Sequence, residues 1–160
     1  MVTDPVTDLI WRLCAAAVIG GLIGLNREMR HKPAGFRTHA LVALGAALAT
    51  SLPSWSPLIG EAHHADAISR VVQGIITGIG FIGAGVIMRS NDGHEVHGLT
   101  TAASVWLAAC IGCACGAGAM IPAAAAFVLV LLILMFGGPL EHWAISKLDP
   151  HANDKTPPPA

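Results

Sequence analysis

The chain has 160 residues, of which 54% are hydrophobic and only 12% are charged, and its net charge is −1. Soluble domains carry about 25% charged residues, so this composition excludes an ordinary soluble domain and predicts a membrane protein of one domain. There is no basic tract or aromatic platform of the kind that nucleic-acid binding requires, and no nucleic acid is expected as a partner.

Five apolar segments follow one another along the chain, at residues 9–25, 38–55, 68–88, 99–118 and 120–140. A membrane-spanning helix needs about 20 apolar residues, and four of the five approach this length. The second segment is the weakest, because Pro53 and Pro57 interrupt it. We predict an all-α polytopic membrane protein with about five transmembrane helices, formed by residues 1–145, and a flexible cytoplasmic tail at residues 146–160.

The placement of Lys and Arg predicts the orientation in the membrane. With five spans, seven of the nine basic residues fall on one side, namely Arg27, Arg30, Lys32, Arg37, Arg89, Lys147 and Lys155. Arg12 and Arg70 fall on the other side. The positive-inside rule then places the N-terminus outside and the C-terminus in the cytoplasm.

Glycine is concentrated in the third apolar segment, which reads GIITGIGFIGAGVIM from Gly74 to Met88. Small residues let transmembrane helices approach closely, so we expect Gly78, Gly80, Gly83 and Gly85 to contact the fourth segment near Ala102, Ala108 and Gly112. The same stretch is also a candidate for a break in the helix. The full set of predicted packing glycines is Gly20, Gly24, Gly74, Gly78, Gly80, Gly83, Gly85, Gly98 and Gly112.

Polar residues inside the apolar segments have two interpretations. The residues predicted to be buried are Gln73, Thr77, Thr100, Thr101 and Ser104. Hydrogen bonding between helices is the favoured interpretation, and an ion path is the alternative. Mg²⁺ prefers oxygen ligands, usually carboxylates, and no Asp or Glu lies in the middle of any segment. Cys110, Cys113 and Cys115 lack further ligands nearby in sequence, so we interpret them as small packing residues and predict no metal site and no cofactor.

Two stretches of the chain match after a shift of 63 residues. GFRTHALVALGA (Gly35–Ala46) then lies over GLTTAASVWLAA (Gly98–Ala109), with six identities in twelve positions. Both stretches open a predicted span that leaves the cytoplasm. A parallel repeat of two helices is favoured, and chance matching among Ala, Leu and Gly is the alternative.

Three strings in the chain resemble the membrane domain of the MgtC/SapB family. They are GLNREMRHKPAGFRTH, GIGFIGAGVIMR and GLTTAASVWLAACIG, and the resemblance covers about residues 10–140. It implies a bacterial inner-membrane protein linked to low-magnesium adaptation and, in several pathogens, to virulence. It also implies restraint of the F-type ATP synthase by the best-known members. The family usually has an acidic residue where this chain has Asn26, and longer members carry a C-terminal domain that this sequence lacks.

The basic loop between the first two segments has two interpretations as well. Its charges either anchor the chain to anionic lipid, which is favoured for Arg30 and Lys32, or form a structured site. Because they coincide with the family strings, we expect Arg27, Glu28, Arg37 and Thr38 to form a functional cytoplasmic cluster, oriented by pairing of Glu28 with an arginine.

No motif in the chain predicts catalysis. A nucleophile elbow, a Walker loop and a zinc helix are all missing, so we do not expect an enzyme. Two functions remain. The first is a non-catalytic regulator that acts through helix contacts in the membrane, with the F-type ATP synthase or a second copy of the chain as partner. The alternative is a small ion or solute transporter, with Mg²⁺ as a candidate substrate.

Overall fold

A computed structural model of the chain describes residues 4–56, 59–89 and 96–148. It contains five long helices: α1 (Pro5–Met29), α2 (Phe36–Trp55), α3 (His64–Val86), α4 (Leu99–Gly116) and α5 (Met120–Leu148). A 3₁₀ turn at Glu61–His63 precedes α3. Between α3 and α4, β1 (Met88–Arg89) pairs antiparallel with β2 (Val96–His97). The prediction of an all-α polytopic protein is confirmed, with this two-residue ladder as the one addition among the described residues.

Four helices are long and apolar enough to cross a membrane. They cover Pro5–Met29, Glu61–Val86, Leu99–Gly116 and Met120–Leu140. α2 is 20 residues long, but it carries Arg37, His39 and several hydroxyl residues, which lower its hydropathy. One side of α2 packs on α1, α3 and α4, so its polar residues on that side need not face lipid. α5 continues to Leu148, three residues past the predicted end of the domain, and residues 149–160 lie outside the described part of the chain.

α2 and α4 form the centre of the bundle, and α4 contacts all four other helices. One buried cluster joins α1, α2, α4 and α5 around residues such as Ile23, Ala47 and Ile111. A second cluster joins α2, α3 and α4 around Ile79 and Val105. We call the end of the bundle where α1 ends and α2 and α4 begin the basic end.

The turns of the bundle use left-handed backbone where the chain reverses. His31 and Ala34 have positive φ in the link from α1 to α2, and Gly118 has φ 79° in the three-residue link from α4 to α5. Gly98 precedes α4 with φ 90°, and a Cβ there would collide with the carbonyl oxygen of Val86. This last contact holds the end of α3 against the beginning of α4.

The third apolar segment, a candidate for a helix break, forms a continuous helix. α3 runs without interruption from His64 to Val86 through all five glycines of that segment. A helix in lipid keeps its backbone hydrogen bonds internally, and glycine removes none of these bonds, unlike proline.

The sequence repeat has a counterpart in the contacts between helices. A Cβ at Gly20 would meet the backbone of His39, and a Cβ at Gly83 would meet Ala102. Both residues of the second contact lie 63 positions after those of the first, which is the same shift that aligns the sequence. Gly35 and Gly98 also both immediately precede a helix. The α1–α2 and α3–α4 pairs therefore repeat one arrangement, with a closer approach in the first pair.

Candidate functional site

Two pairs of glycines, each spaced four residues apart, bring α1 and α4 into close contact with α2. On α1, a Cβ at Gly20 would lie 2.6 Å from the carbonyl oxygen of His39, and a Cβ at Gly24 would collide with Gly35. On α4, a Cβ at Gly112 would collide with Ala43, and one at Gly116 with Ala47. Glycine at these four positions lets the backbones touch. The sequence analysis named Gly20, Gly24 and Gly112, and it missed Gly116.

Arg27 is buried in the bundle, apart from the other three residues of the predicted cytoplasmic cluster. Its side chain is only 5% exposed, and its Nη2 donates a hydrogen bond of 2.8 Å to Thr101 Oγ1 in the first turn of α4. Within the described residues, Arg27 Nε has no hydrogen-bond acceptor, and the buried Oδ1 of Asn26 has no donor. Arg27 thus joins the end of α1 to the beginning of α4, 74 positions further along the chain.

His39 and Ser104 form a second buried link at the basic end. His39 Nδ1 lies 3.0 Å from the carbonyl oxygen of Gly35, and Nε2 lies 3.0 Å from Ser104 Oγ. A carbonyl only accepts, so Nδ1 carries a proton. Ser104 Oγ also lies 2.8 Å from the carbonyl oxygen of Thr101. When the His39 imidazole is neutral, the Ser104 hydroxyl donates to Nε2. When the imidazole is protonated, Nε2 donates to Ser104 Oγ, and the hydroxyl donates to the carbonyl oxygen of Thr101.

The predicted functional cluster is divided between two places. Glu28 is exposed, and its Oε2 accepts a 3.0 Å hydrogen bond from the backbone N–H of Phe36, so that it caps the first turn of α2. No ion pair between Glu28 and an arginine occurs in the described part of the chain, which corrects the expected pairing. Arg37 and Thr38 share an open pocket with Glu28, and Arg27 does not line it.

This pocket, which we call the interfacial pocket, lies at the basic end between α1 and α2. Its volume is about 730 Å³. Its wall combines charged and polar groups with two apolar side chains. The lining residues are Leu25, Glu28, His31, Lys32, Gly35, Phe36, Arg37 and Thr38.

Arg30 reaches α5 at a position left open by a proline. Its Nη2 donates to the backbone carbonyl oxygen of Met135 at 3.3 Å. In an α-helix this carbonyl would accept from the residue four positions later, which here is Pro139 and has no N–H. Arg30 therefore supplies the donor that Pro139 lacks. From the sequence, Arg30 is interpreted as a lipid anchor. The signal for its contact with α5 is Pro139, which leaves the carbonyl oxygen of Met135 without its usual N–H partner.

Most glycines of α3 contact no other helix among the described residues. A Cβ added at Gly74, Gly78, Gly80 or Gly85 would meet no atom within 4 Å, so the predicted contact of Gly78, Gly80 and Gly85 with α4 is wrong. Gly83 alone faces α4, with its added Cβ 3.8 Å from that of Ala102. The small residues of α4 pack on α2 instead, which leaves the remaining glycines of α3 on the outside.

Three of the five residues predicted to be buried are exposed. Gln73 and Thr77 lie on the outer face of α3, where Thr77 Oγ1 donates to the carbonyl oxygen of Gln73, and Thr100 lies on the outer side of α4. Thr101 and Ser104 are buried, at 1% and 2% exposure. Residues 73 and 77 share the face of α3 that no helix covers, and position 100 is one residue removed from the buried side of α4.

At the opposite end of the bundle, Arg12 links α1 to α4. It forms an ion pair with Asp8 one turn earlier and donates at 3.3 Å to the carbonyl oxygen of Gly116, the last residue of α4. A cation at a helix C-terminus is favourable. The cysteines of α4 are free thiols, and across residues 4–56, 59–89 and 96–148 no group of three or more His, Cys, Asp or Glu side chains is arranged to hold a metal ion.

The buried hydrogen bonds of Arg27 with Thr101 and of His39 with Ser104 fall within the strings that carry the family resemblance, and comparison with known proteins agrees. The MgtC family model matches residues 13–143. The chain belongs to the MgtC family. It is 41% identical over 133 residues to Protein MgtC of Brucella abortus, covering 83% of this chain and 52% of that protein.

Two further relatives give the same result. Protein MgtC of Salmonella typhimurium is 46% identical over 123 residues, covering 76% of this chain and 49% of that protein. Protein SrpB of Synechococcus elongatus is 40% identical over 116 residues, covering 69% of this chain and 64% of that protein. The chain thus spans about half the length of the MgtC relatives it matches. No solved structure matches it significantly.

Proposed function

We propose that this chain is a non-catalytic regulator in the bacterial cytoplasmic membrane, linked to low-magnesium adaptation, which acts by packing α3 against a helix of another membrane protein. The uncovered glycine face of α3 supports this proposal. Gly74, Gly78, Phe81 and Gly85 share one face of the helix, and Phe81 is 87% exposed. Glycine inside a helix costs about 1 kcal/mol relative to alanine, and contact with lipid alone gives no reason for it.

The other helices of the chain indicate what such a face is for. Gly20 and Gly24 on α1, and Gly112 and Gly116 on α4, have the same four-residue spacing as Gly74 and Gly78, and each of those pairs touches the backbone of α2. Gly74 and Gly78 form a third pair with the same spacing, and no helix of the described part of the chain packs on it. Gln73 and Thr77 beside it offer an amide and a hydroxyl, which hydrogen-bond across helix interfaces in membranes.

The family resemblance implies the membrane sector of the F-type ATP synthase as the partner, and a second copy of this chain is the alternative. The proposed orientation places the N-terminus outside and the basic end in the cytoplasm. Glu28, Arg37 and Thr38, which share the interfacial pocket, remain proposed functional residues. Arg27 takes a structural role.

The test compares two open glycines on different helices. Gly78→Leu places a large side chain on the proposed contact face, whereas Gly138→Leu does the same at a position of α5 that is equally open. In a strain that lacks this protein, Gly78→Leu should abolish growth in low magnesium and Gly138→Leu should preserve it, with equal amounts of both variants in the membrane. Full growth with Gly78→Leu would contradict the proposal.

Two further measurements separate the alternatives. A photoreactive residue at position 77 should crosslink to a subunit of the ATP synthase, and an adduct with a second copy would assign α3 to a dimer instead. Purified protein in vesicles that contain a magnesium-sensitive dye should give no protein-dependent entry of Mg²⁺. Saturable entry would replace the regulator with the transporter.

A further inference from the structure

The four basic residues of the link between α1 and α2 divide into two pairs with different surroundings. Arg27 is buried and bonded to Thr101, and Arg30 is bonded to the backbone of α5. Lys32 and Arg37 are exposed, line the interfacial pocket, and form no ion pair within the described part of the chain. The pocket therefore has two cations without protein partners.

The charge balance of the pocket favours an anion. Lys32 and Arg37 face one carboxylate, that of Glu28, and one oxygen of this carboxylate is already engaged by the N–H of Phe36. His31 lines the same pocket and adds a further donor. Lysine and arginine are the side chains that proteins use for phosphate, lysine as a point charge and arginine as a planar fork.

Two side chains of the wall are apolar, and a free anion would not use them. Leu25 and Phe36 line the pocket and are 40% and 46% exposed. They lie on the last turns of α1 and the first turn of α2, at the depth where a span meets the lipid headgroups. A ligand that matches both walls carries a negative phosphate next to a hydrocarbon chain.

We infer that the interfacial pocket binds an anionic phospholipid, with its phosphate held between Lys32 and Arg37 and an acyl chain along Leu25 and Phe36. Charge and location both support this occupant, because the cytoplasmic leaflet, on which the basic residues are expected, carries the anionic lipids. The inference deepens the proposed role of the pocket residues by naming their ligand. Its test uses binding alone, so it does not depend on the contact made by α3.

The experiment uses the full chain purified in detergent, with lipid binding followed by native mass spectrometry and by the thermal shift on titration. The probes are dioleoyl phosphatidylglycerol, dioleoyl phosphatidylcholine, glycerol 3-phosphate and inorganic phosphate. Lys32→Gln with Arg37→Gln removes both free cations of the pocket. Arg70→Gln with Lys147→Gln is the matched control, because it removes the same charge from exposed positions outside the pocket.

Phosphatidylglycerol should bind the native chain and the control variant equally, and the pocket variant about 30-fold more weakly, as expected for two interfacial charges. Phosphatidylcholine and the two chain-free phosphates should bind far more weakly. Three results would overturn the inference: equal binding of phosphatidylglycerol and phosphatidylcholine, equal loss in the control, or binding of inorganic phosphate as tight as that of the lipid, which would assign the pocket to a soluble anion. An unchanged melting temperature of the lipid-free variants shows that any loss does not come from misfolding.

Discussion

Alanine at Gly112 tests whether close contact between α4 and α2 stabilises the bundle. A Cβ there would collide with the backbone of Ala43, whose Cα would be 2.9 Å away. Ala43 is fully buried, and α1 also packs on it, because a Cβ built at Gly20 would lie only 2.7 Å from the Ala43 Cβ. The collision is therefore with a backbone that two helices contact.

The size of the effect follows from two opposing terms. Overpacking a well-packed core costs about 1–3 kcal/mol, and the contact of both α1 and α4 with Ala43 places this case near the upper end. Alanine recovers about 1 kcal/mol of helix propensity relative to glycine. We expect Gly112→Ala to lower the free energy of unfolding by about 2 kcal/mol.

Gly78→Ala is the matched control for this change. Its added Cβ meets no atom within 4 Å, so only the gain in helix propensity remains, and stability should stay equal or rise by up to about 1 kcal/mol. Reversible unfolding of both variants in mixed micelles, followed by circular dichroism, measures the difference. If Gly112→Ala proves as stable as Gly78→Ala, the close approach of α4 to α2 is wrong.

Three further predictions address the polar contacts and the orientation. Thr101→Val should lower the free energy of unfolding by about 3 kcal/mol, because it leaves the guanidinium of Arg27 buried without an acceptor. In an Arg27→Met background the same change should cost much less, and an equal loss in both backgrounds would refute the pairing. Arg30→Ala should lower the free energy of unfolding by about 1 kcal/mol in the native chain, and by almost nothing in a Pro139→Ala background, where an N–H is restored within α5. If the effects of the two substitutions simply add in the double variant, this prediction is wrong. Reporter fusions at the C-terminus and within residues 61–66 should appear on opposite sides of the membrane, and a cytoplasmic signal from residues 61–66 would exclude the proposed orientation.

The sequence by itself determined the class of protein, the approximate limits of the helices and the family. These properties depend on composition and on the length of apolar runs, which are local, and each apolar segment corresponds to one of the five helices. The shift of 63 residues also indicated the relation between the two helix pairs, because equivalent positions in a repeat face equivalent neighbours.

Only the tertiary structure decided which side of each helix is covered. Glycines at Gly78 and Gly112 have the same local chemistry, but the first meets open space and the second meets the backbone of Ala43. The difference arises because α2 and α4 form the centre of the bundle and α3 lies at its edge. The order in which helices pack depends on contacts between distant parts of the chain. The same reason explains the basic residues. Arg27 and Arg30 find acceptors 74 and 105 positions away, which no local pattern specifies, whereas Lys32 and Arg37 line the interfacial pocket and form no ion pair in the described part of the chain.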